Sequence, residues 1–130
     1  MDEIEAVKET YAAINRNEIA AAVKAFDPQV EWIEPPDFPT PGTYRGHEEV
    51  MAHIKRGRST WAEGGCELER CIVAGDKVVA FVRALVRLKG HTEWLDGRFA
   101  DVHTFRDGKA IQIRSFGKRQ DALDWAGAEA

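Results

Sequence analysis

The sequence predicts a single α+β domain over residues 1–130, with helices first and a curved antiparallel sheet second. Three observations carry that prediction. Apolar residues recur at helical spacing in the first half and in alternation from Cys66 onward, so the period changes once along the chain. Two compact turn signals, Ala74-Gly75-Asp76 and Asp107-Gly108, cut the second half into runs of strand length. A chain of 130 residues, 44% hydrophobic and 31% charged, suits one domain with one core.

Ile4, Val7, Tyr11 and Ile14 share a helical face and define a first helix over residues 2–15. Asn15-Arg16-Asn17 breaks it, and Ile19, Val23 and Phe26 continue as a second short helix up to Asp27-Pro28. VEWIEP alternates for about five residues and is stopped by Pro35-Pro36, which marks a short strand. PPDFPTPGTYRG holds four of the five prolines and two of the eleven glycines, the composition of an irregular surface loop of the kind that forms a cavity's lip. HEEVMAHIKRG, acidic in its first turn and carrying Val50 and Ile54, is a third helix. CELERCIVAGDKVVAFVRALVRLKG supplies two strands, TEWLDGRFADVHTF a third and AIQIRSF a fourth, and KRQDALDWAG closes the chain as a short helix. A curled sheet over one long helix makes a cone whose interior is hard to fill, and such a cavity suits a small apolar molecule.

Charge and composition narrow the partners. Eighteen basic residues against 22 acidic give a net charge of −4 with no basic run, which argues against nucleic acid or an anionic membrane. The opening MDEIEAVKE is acidic and helical rather than a secretion signal, and no apolar run approaches the ~20 residues that cross a bilayer. Cys66 and Cys71 lie five apart in a strand, an odd spacing that puts them on opposite faces. A disulfide is therefore not expected, and the chain reads as a reduced, cytoplasmic protein. His47, His53, His91 and His103 fit no metal-ligand spacing and there is no glycine-rich phosphate loop, so neither a metal nor a cofactor is expected.

The functional question lies in RFADVHTFRDGKAIQIRSF. One face of residues 98–106 carries Phe99, Asp101, His103 and Phe105, and the other carries Ala100, Val102, Thr104 and Arg106. In the preceding strand Ala80, Val82, Ala84, Val86 and Leu88 alternate with Val79, Phe81, Arg83, Leu85 and Arg87. Either the small aliphatic face is the core and the polar residues face water, or the aromatic and polar face lines a pocket and another subunit covers the aliphatic one. Leaving Phe81, Phe99 and Phe105 in water costs about 25 cal/mol for each Å², so composition favours the pocket. On that reading the protein is a homodimer through the sheet, using the stripe Ala80, Val82, Ala84 and Val86. Arg83 then either neutralises Asp101 or binds an anionic group of the ligand.

FDPQVEW, the loop ending in YRGHEEV, LDGRFADVHTFRDGKAIQIRSF and the closing DAL helix together resemble the SnoaL-like branch of the nuclear transport factor 2-like superfamily, over nearly the whole chain. The resemblance implies a cone-shaped, cystatin-like α+β barrel, with N-terminal helices packed on a curved antiparallel sheet around a pocket. It also implies a range of activities, because this fold hosts isomerases, cyclases, dehydratases, epoxide hydrolases and non-catalytic binders. In ketosteroid isomerase-like members a carboxylate just before a proline, at the end of the first short strand, abstracts a proton; Glu34 before Pro35 matches it. A protonated aspartate on the third meander strand donates to the developing oxyanion, and Asp101 matches that residue. In SnoaL-type cyclases an aspartate on this strand is the general acid/base of a ring-closing aldol step, helped by a histidine, roles open to Asp101 and His103. The isomerases' second oxyanion donor is a tyrosine on the first helix. Thr10 stands at that step, and Tyr11 is one residue on, about 100° around the helix.

The expectation is a cofactor-independent acid/base enzyme, an isomerase, cyclase or dehydratase, acting on a small hydrophobic carbonyl compound. Asp101 is its principal acid/base, His103 and Tyr11 donate hydrogen bonds to the oxygen, and Glu34 is a second carboxylate. Trp32, Trp61, Arg83 and Phe99 are expected against the substrate. Epoxide hydrolysis is a related option, for which Arg83 and Asp101 supply two members of an Asp–Arg–Asp set. From other classes come a non-catalytic module for a small apolar ligand and a protein-interaction domain that uses its sheet.

Overall fold

The structure, a computed structural model, describes residues 2–130. Its elements run α1 (Glu3–Asn15), α2 (Ile19–Ala22), β1 (Phe26–Glu34), β2 (Gly42–Arg45), α3 (Gly46–Arg58), β3 (Trp61–Ala74), β4 (Lys77–Leu88), β5 (Trp94–Arg106), β6 (Lys109–Phe116) and α4 (Arg119–Ala126). Asp2 opens α1 by accepting the Glu5 N–H at 2.8 Å, with Glu3 and Glu5 in the first turn where the helix dipole favours acid. The second helix is shorter than its spacing predicts, because Phe26 already belongs to β1. Pro28, which has no N–H for a ladder, sits in the irregular stretch between Phe26 and Glu31 where β1 loses its register with β6.

The sheet has six strands in the order β2-β1-β6-β5-β4-β3. The meander β3 to β6 is antiparallel as expected. In addition β1 runs parallel to β6, and β2, drawn from the end of the Pro-rich segment, pairs antiparallel with β1. The sheet does not close, so the barrel of the expectation is an open α+β cone with β2 and β3 at its edges. On the inner face Val7, Tyr11 and Ile14 of α1 pack with Phe26 and Trp32 of β1, Val50 and Ile54 of α3, and Val78, Ala80 and Val82 of β4. A smaller core lies on the outer face, where Ala122 and Leu123 of α4 cover Val79, Phe81, Ala100 and Val102.

This division corrects the expected dimer stripe. The register sets Ala80 opposite Asp101 and Val82 opposite Phe99, and residues directly opposite in a ladder point to the same side. Ala80, Val82 and Val86 therefore share the inner face with Asp101 and are buried there, while Phe81, Arg83 and Leu85 point outward. The cysteines also need correction. An extra residue bulges β3 between Leu68 and Arg70, so Cys66 lies opposite Ala84 and Cys71 opposite Ala80, both on the inner side, and both thiols are free.

Candidate functional site

Asp101 of β5 and Ser115 of β6 are register partners, and Tyr11 reaches them from α1. The Tyr11 hydroxyl donates to Asp101 Oδ2 at 2.6 Å, and the Ser115 hydroxyl donates to Oδ1 at 2.7 Å. His103 Nε2 lies 2.8 Å from the Tyr11 oxygen. While Asp101 is ionised the single Tyr11 proton goes to it, and His103 Nε2 then carries its own hydrogen and donates to the tyrosine. All three are deep inside, with Asp101 2%, His103 1% and Tyr11 4% exposed.

Burial sets the charge states. It pushes Asp101 up to about 6, against the hydroxyls of Ser115 and Tyr11 that favour the anion, and the negative charge of Glu34 adds to the rise. The same burial pushes His103 down to about 3, which keeps its imidazole neutral. Tyr11 is raised well above the ordinary phenol value, first by burial and then by the neighbouring Asp101 charge. The result is a carboxyl that exchanges its proton near neutral pH among neutral hydrogen-bond donors.

Glu34 ends β1 one residue beyond the Ile33–Arg114 pair, which brings it level with Ser115 and into the sheet row of Asp101. Its Oε2 accepts from the Trp32 indole N–H at 3.0 Å and lies 2.6 Å from His53 Nε2. Its Oε1 accepts from the Thr40 hydroxyl at 3.0 Å. His53, 5% exposed, comes from the inner face of α3, and the Tyr44 ring of β2 stacks on it at 3.9 Å.

The fold thus brings together Asp101, His103, Tyr11 and Glu34, with Trp32 beside them as a donor to Glu34. Tyr11, one step from the expected helix position, is the residue that reaches Asp101, while the Thr10 hydroxyl turns back to the Ala6 carbonyl at 3.1 Å. Phe99 is half-buried on the inner side, edge-on to Phe38 with ring centres 5.9 Å apart. Trp61 packs against the same core from the start of β3, with the Arg58 guanidinium 5.0 Å above its ring. Arg83 is not in the site. It lies on the outer face, opposite Arg98, and binds Asp96 through two hydrogen bonds of 2.9 and 2.8 Å. It neither neutralises Asp101 nor reaches its surroundings, and the Asp–Arg–Asp set of an epoxide hydrolase is not assembled around it.

Sequence reasoning missed Ser115, His53, Thr40 and Tyr44. For His53 a signal existed: it stands three residues after Val50 and one before Ile54, on the apolar face of α3. An open groove of ≈ 600 Å³ runs between α1 and β3, walled in part by Lys8, Tyr11, Asn15, Cys66, Leu68 and Cys71, so Tyr11 is both a wall of the groove and a donor to Asp101. Burial pushes the Cys66 thiol up to about 12, which removes it as a nucleophile near neutral pH. Among the described residues no three His, Cys, Asp or Glu are grouped to hold a metal ion, and no helix is long and apolar enough to cross a membrane.

The family model of the SnoaL-like domain matches residues 7–113. No curated protein matches the chain. Among solved structures, a nuclear transport factor 2-like protein from Burkholderia thailandensis E264 has a TM-score of 0.80 at 25% identity, with 99% of each chain covered. TerC, co-crystallised with polyporic acid, has a TM-score of 0.77 at 25% identity over 95% of each chain. A protein described as a SnoaL-like polyketide cyclase, from Jannaschia sp. CCS1, shares the fold with a TM-score of 0.75 at 17% identity, over 98% of this chain and 92% of that one. With the family model spanning most of its length and the fold of these structures, the chain belongs to the SnoaL-like domain family.

Proposed function

We propose that the protein is a cofactor-independent proton-transfer enzyme for a small apolar carbonyl compound, with Glu34 as base and Asp101 and Tyr11 as donors to the oxygen. The observation that carries this reading is the buried 2.6 Å bond between Tyr11 and Asp101, in the same sheet row as Glu34. Two carboxyl groups in unlike surroundings allow one site to hold a proton donor and a proton acceptor together. A substrate oxygen entering between Tyr11 Oη and Asp101 Oδ2 receives two hydrogen bonds. Glu34 takes a proton from the neighbouring carbon, and the C–H electron pair moves onto the oxygen to give an enolate. Where a C=C bond is conjugated with the enolate, return of that proton to the far carbon of the dienolate completes an isomerisation. Alternatively, attack of the enolate carbon on a second carbonyl, whose oxygen takes the proton from Glu34, completes a cyclisation. The groove along Tyr11 supports access from the α1–β3 side. The similarity to TerC, crystallised with polyporic acid, supports a small organic molecule as ligand.

The test uses 2-tetralone, an apolar ketone with acidic α-hydrogens, in deuterium oxide, with exchange followed by NMR. The wild type should exchange faster than buffer, and Glu34→Gln should abolish the excess. Loss of one oxyanion donor in Asp101→Leu should lower kcat/KM by roughly 100-fold, whereas Asp101→Asn, which keeps a donor, should lose less. Unchanged exchange in Asp101→Leu removes Asp101 from the mechanism.

One observation favours a second reading, a non-catalytic binder: Asp101, Ser115, Tyr11 and His103 already satisfy one another. A binder holds 2-naphthol, a planar mimic of the enolate, and exchanges no tetralone. We also infer a homodimer through the outer face of the sheet, where Leu85 and Trp94 are exposed beside the Arg83–Asp96 and Arg87–Glu63 ion pairs.

A further inference from the structure

We propose that His53 is the positioning residue of Glu34, holding Oε2 so that Oε1 is the oxygen that takes the substrate's proton. The inference rests on Glu34 being the base. Two independent features put the ring hydrogen of His53 on Nε2. That nitrogen faces Oε2 at 2.6 Å, where a bare lone pair would meet the carboxylate's own lone pairs. The other nitrogen, Nδ1, is buried with no partner, and a buried N–H without an acceptor costs more than a bare lone pair. The ring cannot easily turn, because Tyr44 stacks on it with only 15° between the planes.

Oε2 therefore receives two donors, His53 Nε2–H and Trp32 Nε1–H at 3.0 Å. Oε1 receives one, the Thr40 hydroxyl, which sits on the irregular segment between β1 and β2 and can rotate its hydrogen away. The oxygen with the freer lone pairs is the one left to react. The free lone pair of the Nε2–H tautomer is on Nδ1, on the far side of the ring from Glu34. The abstracted proton stays on Glu34 until it is returned to substrate.

The experiment combines [15N]histidine NMR of the whole protein with tetralone exchange in His53→Phe and His53→Gln. Phe keeps an aromatic ring against Tyr44 and lacks a donor, whereas Gln supplies a donor without the ring. The spectrum should show a hydrogen on His53 Nε2. His53→Phe should lower kcat by roughly tenfold with KM unchanged, the loss of one hydrogen bond to a charged group, and His53→Gln should recover most of it. A bare Nε2 with the hydrogen on Nδ1 alone, or wild-type kcat in His53→Phe, overturns the proposal. If the wild type exchanges no ketone, the enzymatic reading fails, while the spectrum still decides the positioning: Nε2–H supports it and a bare Nε2 overturns it.

Discussion

Asp101 and His103 stand two residues apart on one face of β5 and oppose each other in the pH dependence of folding. Asp101 rises from 3.8 to about 6, so the folded chain keeps a proton that the unfolded chain releases. Its contribution is complete at the acid end and is lost as pH rises through about 6. His103 falls from 6.5 to about 3, so its contribution is present above 6.5 and is lost as pH drops. Between about pH 4 and 6 the two slopes offset one another. His103→Gln should unmask Asp101, with stability falling by up to about 3 kcal/mol as pH rises across that window. Asp101→Asn should unmask the reverse slope. Urea unfolding at a series of pH values checks both, and curves parallel to the wild type would contradict the buried charge states. The pair was legible in the sequence, because a carboxylate and an imidazole sharing a strand face with Phe99 and Phe105 are unusual. Glu34 was legible only through the resemblance, from its place before Pro35.

Strand alternation assumes an unbroken ladder, and of the register shifts that break it two move residues of the site and its groove. Counting from the Arg106–Lys109 pair, an unbroken hairpin would set Arg114 opposite Asp101; the shift between Thr104 and Phe105 brings Ser115 there instead. The bulge between Leu68 and Arg70 likewise moves Cys71 to the face of Cys66. No glycine or proline stands at either shift, so residue types did not mark them. The parallel pairing of β1 with β6 was hidden for another reason, since strands remote in sequence have no turn to announce them. Where local chemistry does mark geometry, the sequence could be read: Asp107 and Gly108 both have positive φ, 53° and 78°, as their two-residue turn requires. Gly64 is a stronger case, with φ of +101° in a stretch of β3 where an added Cβ would strike the Leu85 carbonyl and come within 2.8 Å of Val86 Cα. Gly64→Ala should cost about 2 kcal/mol in urea unfolding, and a neutral result would show that the β3–β4 ladder adapts there.

At the scale of the whole molecule, six strands and four helices leave a few polar groups buried in the inner core and part of the outer face bare. α4 covers the end of the outer face around Phe81 and Val102 and leaves Leu85 and Trp94 in water. If that area is the dimer contact, sedimentation should give a species of twice 14.6 kDa, and Trp94→Glu should return it to the monomer mass. A wild type that sediments as a monomer at micromolar concentration would end the dimer proposal. The fold's larger consequence is that a helix, an edge-side strand and the meander deliver Tyr11, Glu34 and Asp101 to one place, with Asp101 able to hold a proton. The measurement closest to that claim is a 13C titration of the Asp101 carboxyl with and without 2-naphthol. The expected midpoint is near 6 in the free protein, and bound naphthol should keep the carboxyl protonated above neutral pH by accepting its hydrogen bond. A midpoint in the ordinary aspartate range, or a carboxyl signal unmoved by bound naphthol, would contradict it.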